Sequence, residues 1–196
     1  WSETATWEMG ILRDEDWQAE WIARTADVND LPAPYFRKEL VLDAPVRKAR
    51  AYICGLGYHE LSINGRKVGD HLLDPGFTRY DRRALYVTHD VTPFFKQGAN
   101  AVAVVLGHGW FNCQTKAVWN FHEAPWREAR KLRLSLVIET TDGRTRVVGS
   151  DCTWKTRSGP ITFNSIYGGE QYDARLETPG WDQPGFDDAA WQPAKV

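Results

Sequence analysis

The chain has 196 residues, enough for one domain, with 42% hydrophobic residues, 26% charged residues and a formal net charge of −2. That balance creates no long-range field to attract nucleic acid or an anionic membrane. The longest apolar runs, such as residues 101–106, are far too short to span a bilayer.

No charged n-region followed by an apolar stretch opens the chain, so no signal peptide is expected. The start at Trp1, without an initiator Met, reads as a fragment. The three cysteines, Cys54, Cys113 and Cys152, fit neither a disulfide framework nor a metal pattern such as C-x-x-C. They read as small buried hydrophobes, with one disulfide left open. Ten Trp, seven Tyr and eight Phe are an aromatic excess that serves equally to fill a sandwich core or to stack on sugar rings.

In chain order, residues 1–10 (WSETATWEMG) read as the last strand of a preceding domain and residues 14–22 (DEDWQAEWI) as its linker. Residues 35–42 (YFRKELVL) alternate polar and apolar side chains over most of their length, the period of a half-buried strand. Asp43-Ala44-Pro45 then makes a turn into residues 46–54 (VRKARAYIC), which alternate again. Residues 58–63 run into Asn64-Gly65, a strong hairpin signal, with 66–69 as the returning strand. Further strands are expected at 84–89 and at 101–106, where a continuous apolar run suits a central strand. Residues 132–140 (LRLSLVIET) alternate into Asp142-Gly143, a second hairpin turn that returns through 144–148. Short strands around Trp154 and Tyr172 finish the set. Helix evidence is confined to residues 90–96, one turn with Thr92 capping and Pro93 in the first helical position.

Many short strands separated by Gly, Pro, Asn and Asp predict an all-β fold, a jelly-roll-like β-sandwich of two antiparallel sheets. Three segments are expected. Residues 1–30 are the end of a preceding domain plus linker, 31–177 the sandwich, and the Pro- and Gly-rich residues 178–196 an exit segment to a next domain.

Residues 55–80 (GLGYHELSINGRKVGDHLLDPGFTRY) resemble the N-terminal β-sandwich domain of bacterial α-L-rhamnosidases. The likeness continues through LYVTHDV at 85–91, LGHGW at 106–110 and GPITFNSIYGGEQYDARLETPGWDQPG at 159–185. The opening decapeptide is similar to the end of the immunoglobulin-like domain preceding that module. A weaker likeness, carried by the Asn-Gly hairpin and the following Asp-Val, is to the jelly-roll sugar-binding domain of β-galactosidase-like enzymes. The resemblance implies a non-catalytic accessory domain of an α-L-rhamnosidase-like glycoside hydrolase, supporting the catalytic domain and contacting rhamnosylated carbohydrate. Catalysis would belong to a separate (α/α)-barrel domain of the parent chain, for which this sequence has neither the length nor the helical periodicity. A bacterial setting is implied, secreted or periplasmic in preference to intracellular. The alternative is a purely structural spacer with no ligand.

Two loops carry the mix of aromatic and planar polar side chains that sugars require. Residues 77–83 (FTRYDRR) supply Tyr80, Asp81 and Arg82, and residues 108–122 (HGWFNCQTKAVWNFH) supply Trp110, Asn112, Trp119 and Asn120. In calcium-dependent rhamnose-binding versions of this module, the resemblance implies an Asp-Asn pair where this chain has Asp81-Arg82. Calcium needs six to eight oxygen ligands and a guanidinium offers none. Asp81 is therefore the one metal candidate, no cofactor is required, and Arg82 argues against calcium. Val104-Val105 also lacks the stacking Trp found in some family members. The competing reading for Asp81 is a loop-ordering pair with Arg82, Arg83 or backbone amides.

Other chemistries are poorly supported. Glu170 and Asp173, three apart on a strand, point to opposite faces and do not make a glycosidase carboxylate pair; they are expected instead to pair with Arg175 or to cap loop amides. The five histidines show no ligand spacing, and no G-x-S-x-G elbow or phosphate loop followed by a helix is present. The basic stretch 126–133 (WREARKLR) reads as a solvated strand edge, so neither nucleic acid nor membrane is an expected partner.

Overall fold

The computed structural model describes residues 2–5, 7–116 and 119–196. The alternating segments become strands β1 (Pro34–Leu42), β2 (Val46–Leu56), β3 (His59–Ile63), β4 (Arg66–Lys67), β5 (Val87–Asp90) and β6 (Gly98–Leu106). They are followed by β7 (Lys131–Thr140), β8 (Thr145–Gly149), β9 (Lys155–Ser158), β10 (Ile161–Ser165), β11 (Gly169–Tyr172) and β12 (Gln192–Pro193). The larger sheet has the order β12-β9-β1-β6-β3-β4, the smaller β5-β2-β7-β8, and β10-β11 forms a separate hairpin. The protein is an all-β sandwich of antiparallel sheets, and its helical turns among the described residues are short 3-10 pieces.

The period of two decides which side chains fill the space between the sheets. On β7, Leu132, Leu134, Leu136 and Ile138 are all fully buried, facing Val102, Val104 and Leu106 of β6 and Phe36 of β1 in one core. Each such side chain contributes about 1.5–3 kcal/mol relative to remaining in water. The outward residues of β6, Ala101, Ala103 and Val105, lie in register with Glu39, Arg37 and Tyr35 of β1. That outer face positions the candidate site.

The β3–β4 turn follows the Asn-Gly expectation. Asn64 has φ 53° and Gly65 φ 73°, the left-handed pair a type I′ turn needs. Asn64 also ties the turn to its surroundings: Nδ2 donates to Phe94 O (2.9 Å) and Asn100 Oδ1 (2.8 Å), and Oδ1 accepts from Ala101 N (2.9 Å). The expected turn near residue 92 is present as a 3-10 piece, Thr92–Phe94, but Thr92 does not cap it. Its hydroxyl accepts from Ala49 N of β2 at 2.9 Å, and Asp90 Oδ1 accepts from Thr92 N at 3.0 Å. Cys54 and Cys113 are buried as expected. Cys152 is exposed, and none of the three is in a disulfide.

Packing does not stop at the expected boundaries of 30 and 178. Ile22 lies in the core and exchanges two 2.8 Å backbone bonds with Leu132, while Ala23 exchanges two with Lys195. Trp191 and Ala194 are buried, and β12 pairs with β9. Residues 181–188 cross the outer face of the larger sheet and are held by Arg37, which is 0% exposed. Its Nε donates to Trp181 O (2.9 Å), its Nη2 to Gln183 O (3.1 Å) and Glu39 Oε1 (2.5 Å), and its Nη1 pairs with Asp188. The expected strand over residues 1–10 includes Trp1 and Thr6, which lie outside the described residues; residues 2–5 and 7–10 are irregular.

Candidate functional site

The loop between β6 and β7, the loop between β4 and β5, and the β10–β11 turn meet at one end of the sandwich. Glycine permits the approach: a Cβ on Gly57 (φ 130°) would lie 2.2 Å from Gly107 O. Gly107 N donates to Tyr58 O at 2.7 Å, and Asn164 Oδ1 of β10 accepts from His108 N at 2.7 Å. His108 itself is buried, with Nε2 3.1 Å from Asp30 O. Burial and the neighbouring Arg130 guanidinium lower its pKa to about 4, so it is neutral and structural.

This scaffold gathers an aromatic cluster. Phe77 packs against Tyr80, Trp110, Phe121 and Trp126 with ring centroids 5.5–6.5 Å apart, and Trp110 meets Phe121 at 5.1 Å and Tyr167 at 5.6 Å. Edge-to-face contacts at such distances are favourable. Phe77, Trp110, Trp119, Phe121 and Tyr167 line an open cleft of about 550 Å³. Trp119 is 71% exposed and Tyr167 52%, large apolar faces left in water beside one another. Ala117 and Val118, within the same sequence-selected loop, lie outside the described residues.

The sequence-selected residues separate into distinct environments. Trp110 and Trp119 line the cleft, and Tyr80 supports it through Phe77 and Phe111. Asn120 is exposed with φ 53°, and its carbonyl accepts from Glu123 N in a 3-10 turn. Asn112 is 1% exposed. Its Nδ2 donates to Val28 O (2.9 Å) and Glu128 O (2.5 Å), and Gln114 Nε2 donates to its Oδ1, so its amide is spent on packing the loop. Asp81 is gripped by Arg79, Nε to Oδ1 at 2.9 Å and Nη2 to Oδ2 at 2.8 Å, with Arg82 Nε at 3.9 Å. The hydrogen bonds from Arg79 hold the Asp81 carboxyl below its ordinary range. The loop-ordering partner is thus chiefly Arg79, two residues before it, rather than Arg82 or Arg83. Among the described residues, no group of three or more His, Cys, Asp or Glu side chains is arranged to hold a metal ion.

Asp173 accepts from Arg175 Nε (2.8 Å), Nη2 (2.6 Å) and backbone N, so it is committed to that arginine and does not pair with Glu170. Glu170 instead lines a second cleft, of about 730 Å³, on the outer face of the larger sheet. Tyr35, Tyr58, Glu60, Val105, Asn164 and Glu170 are among its walls. Sequence reading passed over it because its walls come from β1, β3, β6, β10 and β11, each unremarkable alone. Adjacent residues join the two clefts: Gly109 and Ile166 line the second, Trp110 and Tyr167 the first.

The α-L-rhamnosidase N-terminal domain family model matches residues 44–196. Along its whole length the chain is 37% identical to an α-L-rhamnosidase of Formosa agariphila and spans 23% of that protein. The structure of the α-L-rhamnosidase of Aspergillus terreus superposes with a TM-score of 0.88 at 38% identity, over 95% of this chain and 22% of that one. The α-L-rhamnosidase of Streptomyces avermitilis, solved in complex with L-rhamnose, superposes with a TM-score of 0.79 at 38% identity, over 85% of this chain and 16% of that one. The chain therefore spans less than a quarter of the relatives it matches. On a family match over most of its residues and identity above a third along its length, the chain belongs to the α-L-rhamnosidase N-terminal domain family.

Proposed function

We propose that this chain is a non-catalytic accessory domain of an α-L-rhamnosidase-like glycoside hydrolase, which supports the catalytic domain of its parent and contacts rhamnosylated carbohydrate through the aromatic cleft. The observation that carries this reading is the displayed Trp119 face beside Phe77, Trp110, Phe121 and Tyr167. A 6-deoxy sugar offers an apolar C–H face and a methyl group to such rings, while its hydroxyls stay at the rim. Hydrolysis requires two carboxyls held about 5–10 Å apart across the scissile bond, and of the sequence pair Glu170 and Asp173 the latter is committed to Arg175.

Two measurements test the reading. Incubation with p-nitrophenyl α-L-rhamnoside is expected to release no nitrophenol, and turnover would overturn the non-catalytic assignment. NMR titration with L-rhamnose is expected to shift the indole N–H signal of Trp119; no shifts at saturation would remove the carbohydrate half. A spacer without ligand is the second reading, favoured by the pairing of Asp81 with Arg79 and the burial of Asn112.

A further inference from the structure

We infer that the loop joining β4 to β5, residues 68–86, is released by acid. Protonation of the histidines beneath it frees residues 69–77 from β3 and withdraws Phe77 from the aromatic cleft, while the two sheets stay paired. The loop is lightly tied. Among the described residues, the one hydrogen bond from residues 69–85 to the rest of the sandwich is His59 N to Asp74 O, at 2.8 Å. Its side-chain bonds are internal, from Thr78 to Arg83 O, between His71 and Asp74, and from Arg79 to Asp81. None of its side chains belongs to the buried hydrophobic cluster, so opening leaves that core intact. Leu73 is held at φ 60°, a left-handed conformation that a branched side chain rarely adopts, and opening relieves that strain. Phe77 lies three residues beyond Asp74, with buried Pro75 between them. It is the ring against which Tyr80, Trp110, Phe121 and Trp126 all pack, so release of Asp74 carries the centre of the cluster with it.

Three histidines underlie the tie. His59 on β3 is 6% exposed, and neither of its ring nitrogens has a partner. Its Nδ1 lies 3.1 Å from where a Cβ on Gly55 of β2 would sit, and Leu106 of β6 is its pairing partner, so neither strand offers it a charge there. Asp74, whose carbonyl accepts from His59 N, places Oδ2 2.8 Å from His71 Nδ1, and the His71 ring lies 5.9 Å from that of His89 on β5. Asp74 is the one carboxylate in this chain of contacts. Asp70 is exposed, Glu60 is bound to Lys67 on the outer face, and Asp90 is bound to Arg50. Asp74 neutralises a cation at His71. A charge at His89 then faces that cation, and burial and His71 hold its pKa down. A charge on His59 has neither acceptor nor water, and burial lowers its pKa to about 4. In the open loop the ring is hydrated and titrates in its ordinary range, so the open form binds more protons and acid favours it.

The test is amide hydrogen exchange of the chain at pH 7 and pH 5, each with and without urea below the unfolding transition. After correction for the intrinsic pH dependence of exchange, protection of the His59 amide is expected to fall about 20-fold between pH 7 and pH 5. That is the shift required by a closed pKa of about 4 and an open one of 6.5. The His59 amide should also be indifferent to urea, because a local opening exposes little surface, whereas the core amides of β7 exchange by urea-dependent global unfolding. Phe77 is 47% exposed, so Phe77→Ala leaves the core in place. It removes the packing that holds the loop closed, and should lower His59 protection a further factor of about ten at both pH values. Protection of His59 that ignores pH, or that follows urea in step with β7, would overturn the release. Unchanged His59 protection in Phe77→Ala would overturn its coupling to the cleft. No sugar enters either measurement, so the outcome is independent of the carbohydrate reading.

Discussion

The rings of Tyr35 and Trp181 stack with centroids 4.0 Å apart and an interplanar angle of 21°. The pair joins the first strand of the larger sheet to the segment expected to leave the domain, and Trp181 continues the stack to Trp191 at 6.1 Å. An aromatic pair contributes about 0.5–1.5 kcal/mol beyond its buried area. Trp181→Ala is therefore expected to destabilise the fold by about 3 kcal/mol, lowering Tm by about 6–12 °C in a chain of this length. Thermal unfolding followed by circular dichroism checks it; an unchanged Tm would mean that residues 178–196 are peripheral to the domain.

The Arg37 guanidinium is buried and shares its charge between Asp188 and Glu39. Removing one partner leaves a desolvated cation only half compensated. Asp188→Ala should cost about 2 kcal/mol, less than the full penalty because Glu39 still pairs. Urea unfolding should show a lower midpoint at an unchanged slope.

Asn64 supplies both the positive φ of its turn and three side-chain hydrogen bonds, one of them to the buried Asn100. Asn64→Ala strands the Ala101 N–H, while Asn100 Oδ1 still accepts from Lys96 N, at a cost of about 1–3 kcal/mol. Hydrogen exchange should quicken first at Ala101, whose N–H bonds only to this side chain in the turn.

Acid should weaken the protein in a defined window. Burial depresses the pKa of both His59 and His108 to about 4, from 6.5; Asp74 opposes the shift at His59 and His89 adds to it, while Arg130 adds to it at His108. Between these values the unfolded chain binds more protons than the folded one, so stability is full above pH 6.5 and falls as pH drops towards 4. The loss is on the order of 3 kcal/mol for each histidine, read as a falling Tm across that range. His59 carries the clearer signal, since neither ring nitrogen has a partner; His59→Gln, itself destabilising, should flatten the profile.

Strands were legible wherever residue types alternated, as in β1, β2 and β7, and both Gly-containing turns followed from the backbone freedom they require. Long-range pairings were not legible. Trp181 lies in a Pro- and Gly-rich stretch whose local chemistry says only turn, and its role depends on Tyr35 and Arg37, more than 140 residues earlier. Trp110 and Trp119 stood out through aromatic density, and both line the cleft. Asn112 has the same loop chemistry, yet its amide faces Val28 and Glu128, contacts that no local pattern encodes. The sheet-face cleft was invisible for the same reason, because five strands contribute to it.

The most direct test of the carbohydrate account is calorimetric titration of the wild-type chain and of Trp119→Ala with L-rhamnose, each with and without calcium. Trp119 is 71% exposed, so the substitution should leave Tm within about 1 °C of wild type. The account predicts saturable heat for wild type in both conditions and at least a tenfold loss of affinity in the variant. No heat from the wild-type chain in either condition, or equal heat from both proteins, would contradict it.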